Sequence, residues 1–359
     1  MKAWRVYGIG DMRLDDVPMP KVKPGWVLVK VKTVQLSVTE ISHFRGYSGN
    51  LNELLEKESP RQMFGHEFCG EAVEVGEGVN SIKVGDRVVC CGREPCHQCA
   101  LCLAGYENLC TKGPMLGTDI PGALAEYFVL PAGYLTSIPD TMTDSEGAAM
   151  QPFTGSMGAV HLTGIEMGDT VVVLGQGSMG LNVAQICRVC GAGRVIGVDI
   201  RDDILDISKK LGVDIVINAN KVDTVEAVFE ATKGVGADVV FECAGGSPKQ
   251  GLTGTESLAQ AMRMVRDQGR ISQVALLGKN AMVDVSPLNM SGVQYRGLGR
   301  ESRKLVQYAI DLVTSKRVRL DILITHVLEG LDKIPEAIEI TGNKAKYQTI
   351  NPAQVIISK

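Results

Sequence analysis

The chain has 359 residues, 45% hydrophobic and 22% charged, which is enough apolar material for a sizeable core and excludes global disorder. At about 150 residues per domain the length predicts two domains. Lysine and arginine number 37 against 41 aspartate and glutamate, a formal charge of −4 that argues against a general nucleic-acid footprint. No apolar run reaches the length of a bilayer span, and residues 1–20 lack the charged-then-apolar order of a secretory signal. The expectation is a cytoplasmic enzyme acting on a small molecule, with neither nucleic acid nor membrane as partner.

In chain order, the first part is rich in short strand signals. Residues 26–34, 68–75 and 87–91 alternate with a period near two between Pro and Gly breaks, and 123–130 offers a further strand before Pro131. Turns at Gly76-Glu77-Gly78 and Gly85-Asp86 suit a compact antiparallel barrel. The pattern changes around 150–170. Apolar runs at 171–174, 194–198, 215–217, 238–243, 270–277 and 295–298 are separated by longer segments, including helices predicted at 178–190 and 301–314. Such alternation predicts a parallel sheet covered on both faces. From Ile322 the tail reads as strand-rich and predicts a return to the first domain. The predicted fold class is α/β: a doubly wound parallel sheet plus a β-rich, barrel-like domain.

Gly175, Gly177 and Gly180 stand in G-x-G-x-x-G spacing directly after the apolar run 171–174 and at the start of the predicted helix. The first glycine permits the tight turn, the second lets the backbone approach a pyrophosphate, and the third allows helix–strand contact. The amides of Ser178 and Met179 then face the phosphate charge. Asp199, nineteen residues beyond Gly180, can accept from a ribose diol and would repel a 2′-phosphate, favouring NAD over NADP; Arg201 could meet such a phosphate instead.

Cys96-x2-Cys99-x2-Cys102-x7-Cys110 places four thiols within fifteen residues. Four thiolates can surround Zn²⁺ tetrahedrally and leave no position for substrate, so a structural zinc is expected; an iron–sulfur cluster could use the same atoms. His97, between two of them, reads as exposed.

Together with Gly65-His66-Glu67 and Gly85-Asp86-Arg87-Val88, these motifs resemble the zinc-containing medium-chain alcohol and polyol dehydrogenases over nearly the whole chain. The resemblance implies a catalytic domain (1–152, zinc lobe 91–112), a Rossmann coenzyme domain (153–298) and a terminal helix with a return to the catalytic domain (299–359). It implies an active site in the cleft between domains, and a homodimer or homotetramer. In that family a catalytic zinc is held by a cysteine, the histidine of Gly-His-Glu and a later cysteine or carboxylate. Here Ser37 stands at the cysteine position, Thr39 keeps the relay hydroxyl, and Ser42 fills the relay-histidine position with His43 one place later. His66 and Glu67 match directly, and the late ligand position is Gln151 before Pro152.

Neutral Ser37 and Gln151 remove the negative charge that would offset Zn²⁺, leaving His66 and Glu67 as the remaining candidate ligands of a catalytic zinc. The His66 ring is also expected to lack an anionic neighbour. Two mechanisms follow. With zinc, the metal stabilises an alkoxide and Thr39 with His43 or Ser42 passes the proton outward. Without it, Ser37, Thr39, His66 and Gln151 form a polar pocket in which His66, or His43 through Thr39, moves the proton. The leading expectation is an NAD-dependent enzyme interconverting a secondary alcohol or polyol and its ketone. A zinc-independent carbonyl or enoyl reductase and a non-catalytic dinucleotide sensor are the alternatives. Arg45 and Arg61, in the polar connection 44–64, are candidates to meet an acidic substrate, and the segment 245–255 is a candidate coenzyme loop.

Overall fold

A computed structural model of the chain describes residues 1–47, 51–90, 92, 94–246, 254–277, 281–299 and 303–358. Two compact units result: Met1–Thr154 together with Arg300–Lys359, and Gly155–Gly299.

In the second unit six parallel strands lie in the order Ile215–Asn218, Arg194–Asp199, Thr170–Leu174, Ala237–Glu242, Val265–Gln273, Gln294–Gly297. Numbered along the chain this is 3-2-1-4-5-6, the doubly wound order of a dinucleotide-binding sheet. Strands 170–174 and 237–242 are almost wholly buried, as expected for central strands sandwiched by helices. Their aliphatic side chains join Leu258, Ala261 and Met262 of the Glu256–Met264 helix in one core. The strand expected at 270–277 ends at Gln273. There the amides of Val274 and Ala275 both turn back to the Glu242 carbonyl, at 2.9 and 3.0 Å, so the chain leaves the sheet.

In the first unit, strand Trp26–Gln35 is the hub. One edge pairs with Glu67–Val75. The other pairs with Tyr127–Pro131 over Trp26–Lys30 and with Gln354–Ile356 over Thr33–Gln35. Arg87–Cys90, Leu135–Ser137 and Val327–Glu329 complete a seven-stranded sheet. Residue 91 of the expected third strand lies outside the described residues. The expected strand at 123–130 begins only at Tyr127, because Ala123 donates to Gly65, Leu124 accepts from Trp4 and Glu126 donates to Lys2. A separate hairpin, Lys2–Gly8 with Asp11–Asp16, had no counterpart in the sequence reading.

The tail is less strand-rich than its composition predicted. Its strands are two three-residue pieces, Val327–Glu329 and Gln354–Ile356, and helices Ile334–Gly342 and Lys344–Tyr347 lie between them. Pro335 opens the first of these helices, and Ile334, Ala337, Ile338 and Thr341 bury one face at helical spacing. Residues 303–314 are helical, in a short 3-10 turn followed by Val306–Thr314, while 301–302 of that expected helix lie outside the described residues.

Candidate active site, coenzyme turn and zinc lobe

The register Gln35↔Glu67 between strands Trp26–Gln35 and Glu67–Val75 brings Leu36-Ser37 alongside His66-Glu67. Gly65 lies in left-handed backbone at φ +80° and presses on the Ala123 and Leu124 amides so closely that a Cβ would sit 2.6 Å from the Ala123 nitrogen. Only glycine allows that approach.

Ser37 caps the Val38–Phe44 helix: its Oγ accepts from the Glu40 amide at 3.1 Å, and the Glu40 carboxylate reaches back to the Ser37 amide. This is a capping box, legible in the sequence as Ser-x-x-Glu. It places Glu40 where the sequence analysis expected no anion. Glu40 Oε1 lies 2.6 Å from His66 Nδ1 and accepts from the Gly65 and His66 amides at 2.6 and 3.1 Å. Burial pushes the Glu40 carboxyl up, yet His66 and these amides outweigh it and hold the group below the usual carboxylate range. An ionised Glu40 fixes the proton on His66 Nδ1 and directs Nε2 to the other side of the ring. The expectation that His66 lacks an anionic neighbour is therefore corrected.

On that other side, Nε2 is 3.9 Å from Glu67 Oε1. Burial pushes the Glu67 carboxyl up to about 7, against the pull of His66 and a 2.5 Å hydrogen bond from Gln35 Nε2. Asn351 and Gln354 in turn donate to Gln35 Oε1, at 2.6 and 3.0 Å, so the amide is oriented by a buried network. Gln35 and Glu40 are the two residues of this site that the sequence reading missed.

Thr39 is exposed in the first turn of the capped helix, Ser42 is buried, and His43 is half-buried in the last turn. Burial lowers the His43 imidazole, with Glu40 acting against it and His66 adding to it. Gln151 is half-buried on helix Met150–Thr163. Arg45 and Arg61 are committed within the fold. Arg45 donates to the Gly342 carbonyl at 3.2 Å beside Glu339, and Arg61 to the Thr118 carbonyl at 3.0 Å beside Glu58. The substrate role considered for them has no support in these contacts.

In the parallel-sheet unit, Gly175 has φ +85° and a Cβ there would lie 2.9 Å from Ala244 backbone; one on Gly180 would lie 1.8 Å from the Gly175 carbonyl oxygen. Around Gly177 nothing lies within 4 Å of that position. Two glycines thus serve packing and the middle one keeps open space. Gly177 is the N-cap of helix Ser178–Val189, with Ser178 buried and Met179 half-buried in its first turn. The first intrahelical bond is Leu181 N–H to Gly177, so the preceding amides stand ahead of the helical ladder. Asp199 accepts from the Gln176, Ile200 and Arg201 amides at 2.7, 2.7 and 3.0 Å, tying the glycine turn to the next strand. The Arg201 guanidinium lies on Asp203 through two hydrogen bonds. Of the expected coenzyme loop 245–255, residues 247–253 lie outside the described residues.

The donor atoms of Cys96, Cys99, Cys102 and Cys110 all lie within 4.8 Å of one another, with Sγ–Sγ distances of 3.5 Å for Cys99–Cys102 and 4.0 Å for Cys96–Cys102. A tetrahedron with Zn–S bonds of about 2.3 Å has edges of about 3.8 Å, so Zn²⁺ fits this cradle. The Cys96 and Cys99 amides donate to the Cys110 and Cys96 sulfurs. The Cys96 amide and those of Lys112 and Gly113 hold the Cys110 thiol down at about 6, whereas burial and the other sulfurs push Cys102 up to about 12. A dication is what lets all four ionise together. His97 is exposed, 3.4 Å from Glu107. Among the described residues these cysteines form the one group of three or more His, Cys, Asp or Glu side chains placed to hold a metal. The Glu40–His66–Glu67 cluster is not such a group. No described helix is long and apolar enough to cross a membrane.

Two family models match the chain: an alcohol dehydrogenase GroES-like domain over residues 23–140 and a zinc-binding dehydrogenase over 178–315. The chain is 32% identical over 343 residues to L-threonine 3-dehydrogenase of Pyrococcus abyssi, covering 95% of this chain and 94% of that protein. It is 30% identical over 343 residues to a probable D-xylulose reductase A of Neosartorya fischeri, covering 94% and 92%. Among solved structures, an oxidoreductase/dehydrogenase of unknown specificity from Escherichia coli matches with a TM-score of 0.89 at 27% identity, over 100% of both chains.

Proposed function

We infer the reaction from one premise: the chain belongs to the zinc-binding, medium-chain alcohol dehydrogenase family. It is an NAD-dependent oxidoreductase acting on alcohol- or polyol-type substrates. The finer reading is interconversion of a secondary alcohol or polyol and its ketone. The observation that carries it is the glycine turn opening the Ser178–Val189 helix in a 3-2-1-4-5-6 sheet, with Asp199 ending the neighbouring strand.

Bound NAD supplies the hydride acceptor for alcohol oxidation and, reduced, the hydride for the reverse reaction. The chain's own part is to bind and orient. Gly177 leaves open space where the diphosphate would lie, the Ser178, Met179 and Gly180 amides would hold it, and Asp199 would accept from the adenosine ribose. The Arg201–Asp203 pair supports NAD over NADP, because this arginine is already neutralised beside Asp199.

The catalytic zinc of the family does not fit here. Ser37 Oγ is a helix cap, Gln151 is neutral, and Glu40 and Glu67 are engaged with His66, backbone amides and Gln35. The alcohol proton is left to His66, oriented through Nδ1 by Glu40, with the exposed Thr39 hydroxyl and His43 as the relay. Cys96, Cys99, Cys102 and Cys110 would hold a structural zinc that closes their lobe.

The test is initial-rate assay with NAD and a panel of secondary alcohols, polyols and hydroxy acids, on protein of measured zinc content. Turnover of a secondary alcohol at about one zinc per chain supports the reading. No turnover across the panel in either direction, with coenzyme bound, would sink it.

A further inference from the structure

At the switch point of the parallel sheet the chain leaves strands 170–174 and 237–242 in opposite directions, and ligands bind such sheets in the crevice beyond these strand ends. One lip is the glycine turn. The other begins at Glu242, a fully buried carboxylate that no role above uses.

Its surroundings are built. Glu242 Oε1 accepts from the Ala244 and Gly245 amides at 2.9 and 2.6 Å and from Ser257 Oγ at 2.8 Å, and Oε2 accepts from Gln273 Nε2. All four partners are donors, so the site demands an acceptor at both oxygens. Two of the bonds close the backbone just after the strand onto its own last side chain. That backbone is the segment against which Gly175 packs, with no room there for even a Cβ. The Cys243 amide, bonded to the Leu174 carbonyl at 2.8 Å, joins the two lips in the same plane. The clamp continues outward: Gln273 Oε1 accepts from Tyr295 Oη on the edge strand at 3.2 Å.

We propose that Glu242 is a positioning residue for coenzyme, its carboxylate clamping the Ala244–Gly245 backbone against Gly175 so that the two lips of the dinucleotide crevice keep a fixed spacing. The inference rests on the coenzyme reading above. The physical reason is preorganisation: a loop held before binding loses less freedom on binding. Glu242→Gln keeps the size of the side chain but puts an N–H group against a donor, so the clamp opens at one end.

The experiment is calorimetric titration of full-length protein with NADH, alongside its thermal midpoint. Glu242→Gln is expected to weaken NADH binding about tenfold or more. A lowered midpoint with NADH binding as tight as wild type would mean a purely structural carboxylate and overturn the proposal. If Glu242→Gln does not fold, Ser257→Ala, which removes one donor only, is read in its place. A severalfold weaker binding supports the clamp and unchanged binding overturns it. Wild-type protein that binds no NADH would refute the coenzyme reading itself, a separate outcome.

Discussion

At the scale of single residues, Glu40 changes the meaning of Ser37. In the sequence the serine looks like a lost ligand, while in the fold it is a helix cap whose capping partner is the carboxylate that orients His66. The capping box was legible as Ser37-x-x-Glu40, but the contact of Glu40 with His66 was not, because it depends on the pairing of strands 26–35 and 67–75. Glu40→Gln is expected to lower kcat/KM about 10- to 100-fold, the usual cost of losing the partner that orients a functional histidine. Steady-state kinetics with the best alcohol reads this, and rates equal to wild type would exclude Glu40 from the proton path. Asp199→Ala should reduce the preference for NAD over NADP about tenfold or more, from loss of the ribose acceptor and of repulsion toward a 2′-phosphate. The ratio of kcat/KM for the two coenzymes checks it.

At the scale of elements, the glycine turn separates packing from binding. A methyl on Gly180 would overlap the Gly175 carbonyl, whereas one on Gly177 enters open space at φ −69°. Gly180→Ala should therefore cost about 1–3 kcal/mol or more of stability. Gly177→Ala should leave the thermal midpoint within a few degrees, yet weaken NADH binding about tenfold or more because the methyl occupies the diphosphate's place. Thermal melts and titrations of the two variants together decide the matter, and equal effects on both would refute the division of roles. This turn was readable because glycine spacing is a local signal. The tail was not, since residues 334–342 are apolar on one helical face and β-branched enough to mimic strands. The strand at 265–273 began earlier than its apolar run for a similar reason. Val265 pairs with Ala237, but the register then breaks until Arg270 meets Val239, and the exposed Asp267 and Gln268 between them carry no hydrophobic signal.

At the scale of the molecule, each unit carries one inference about cofactors. In the sheet-and-cysteine unit, the spacing of four thiols fixed the expected metal chemistry, and the folded sulfurs stand at zinc distances. Among the described residues no second group of three or more His, Cys, Asp or Glu side chains is placed to hold a metal, so isolated protein should contain about one zinc per chain, and Ser37→Cys with Gln151→Glu should raise it to about two. Elemental analysis reads both; two zincs in the unmodified protein would reverse the charge argument. In the parallel-sheet unit, the crevice beyond strands 170–174 and 237–242 is the place where NAD would bind. Titration calorimetry of the purified protein with NADH and with NADPH tests it most directly. Saturable one-to-one binding of NADH, about tenfold or more tighter than NADPH, is the predicted result. Folded protein that takes up neither coenzyme would contradict the account.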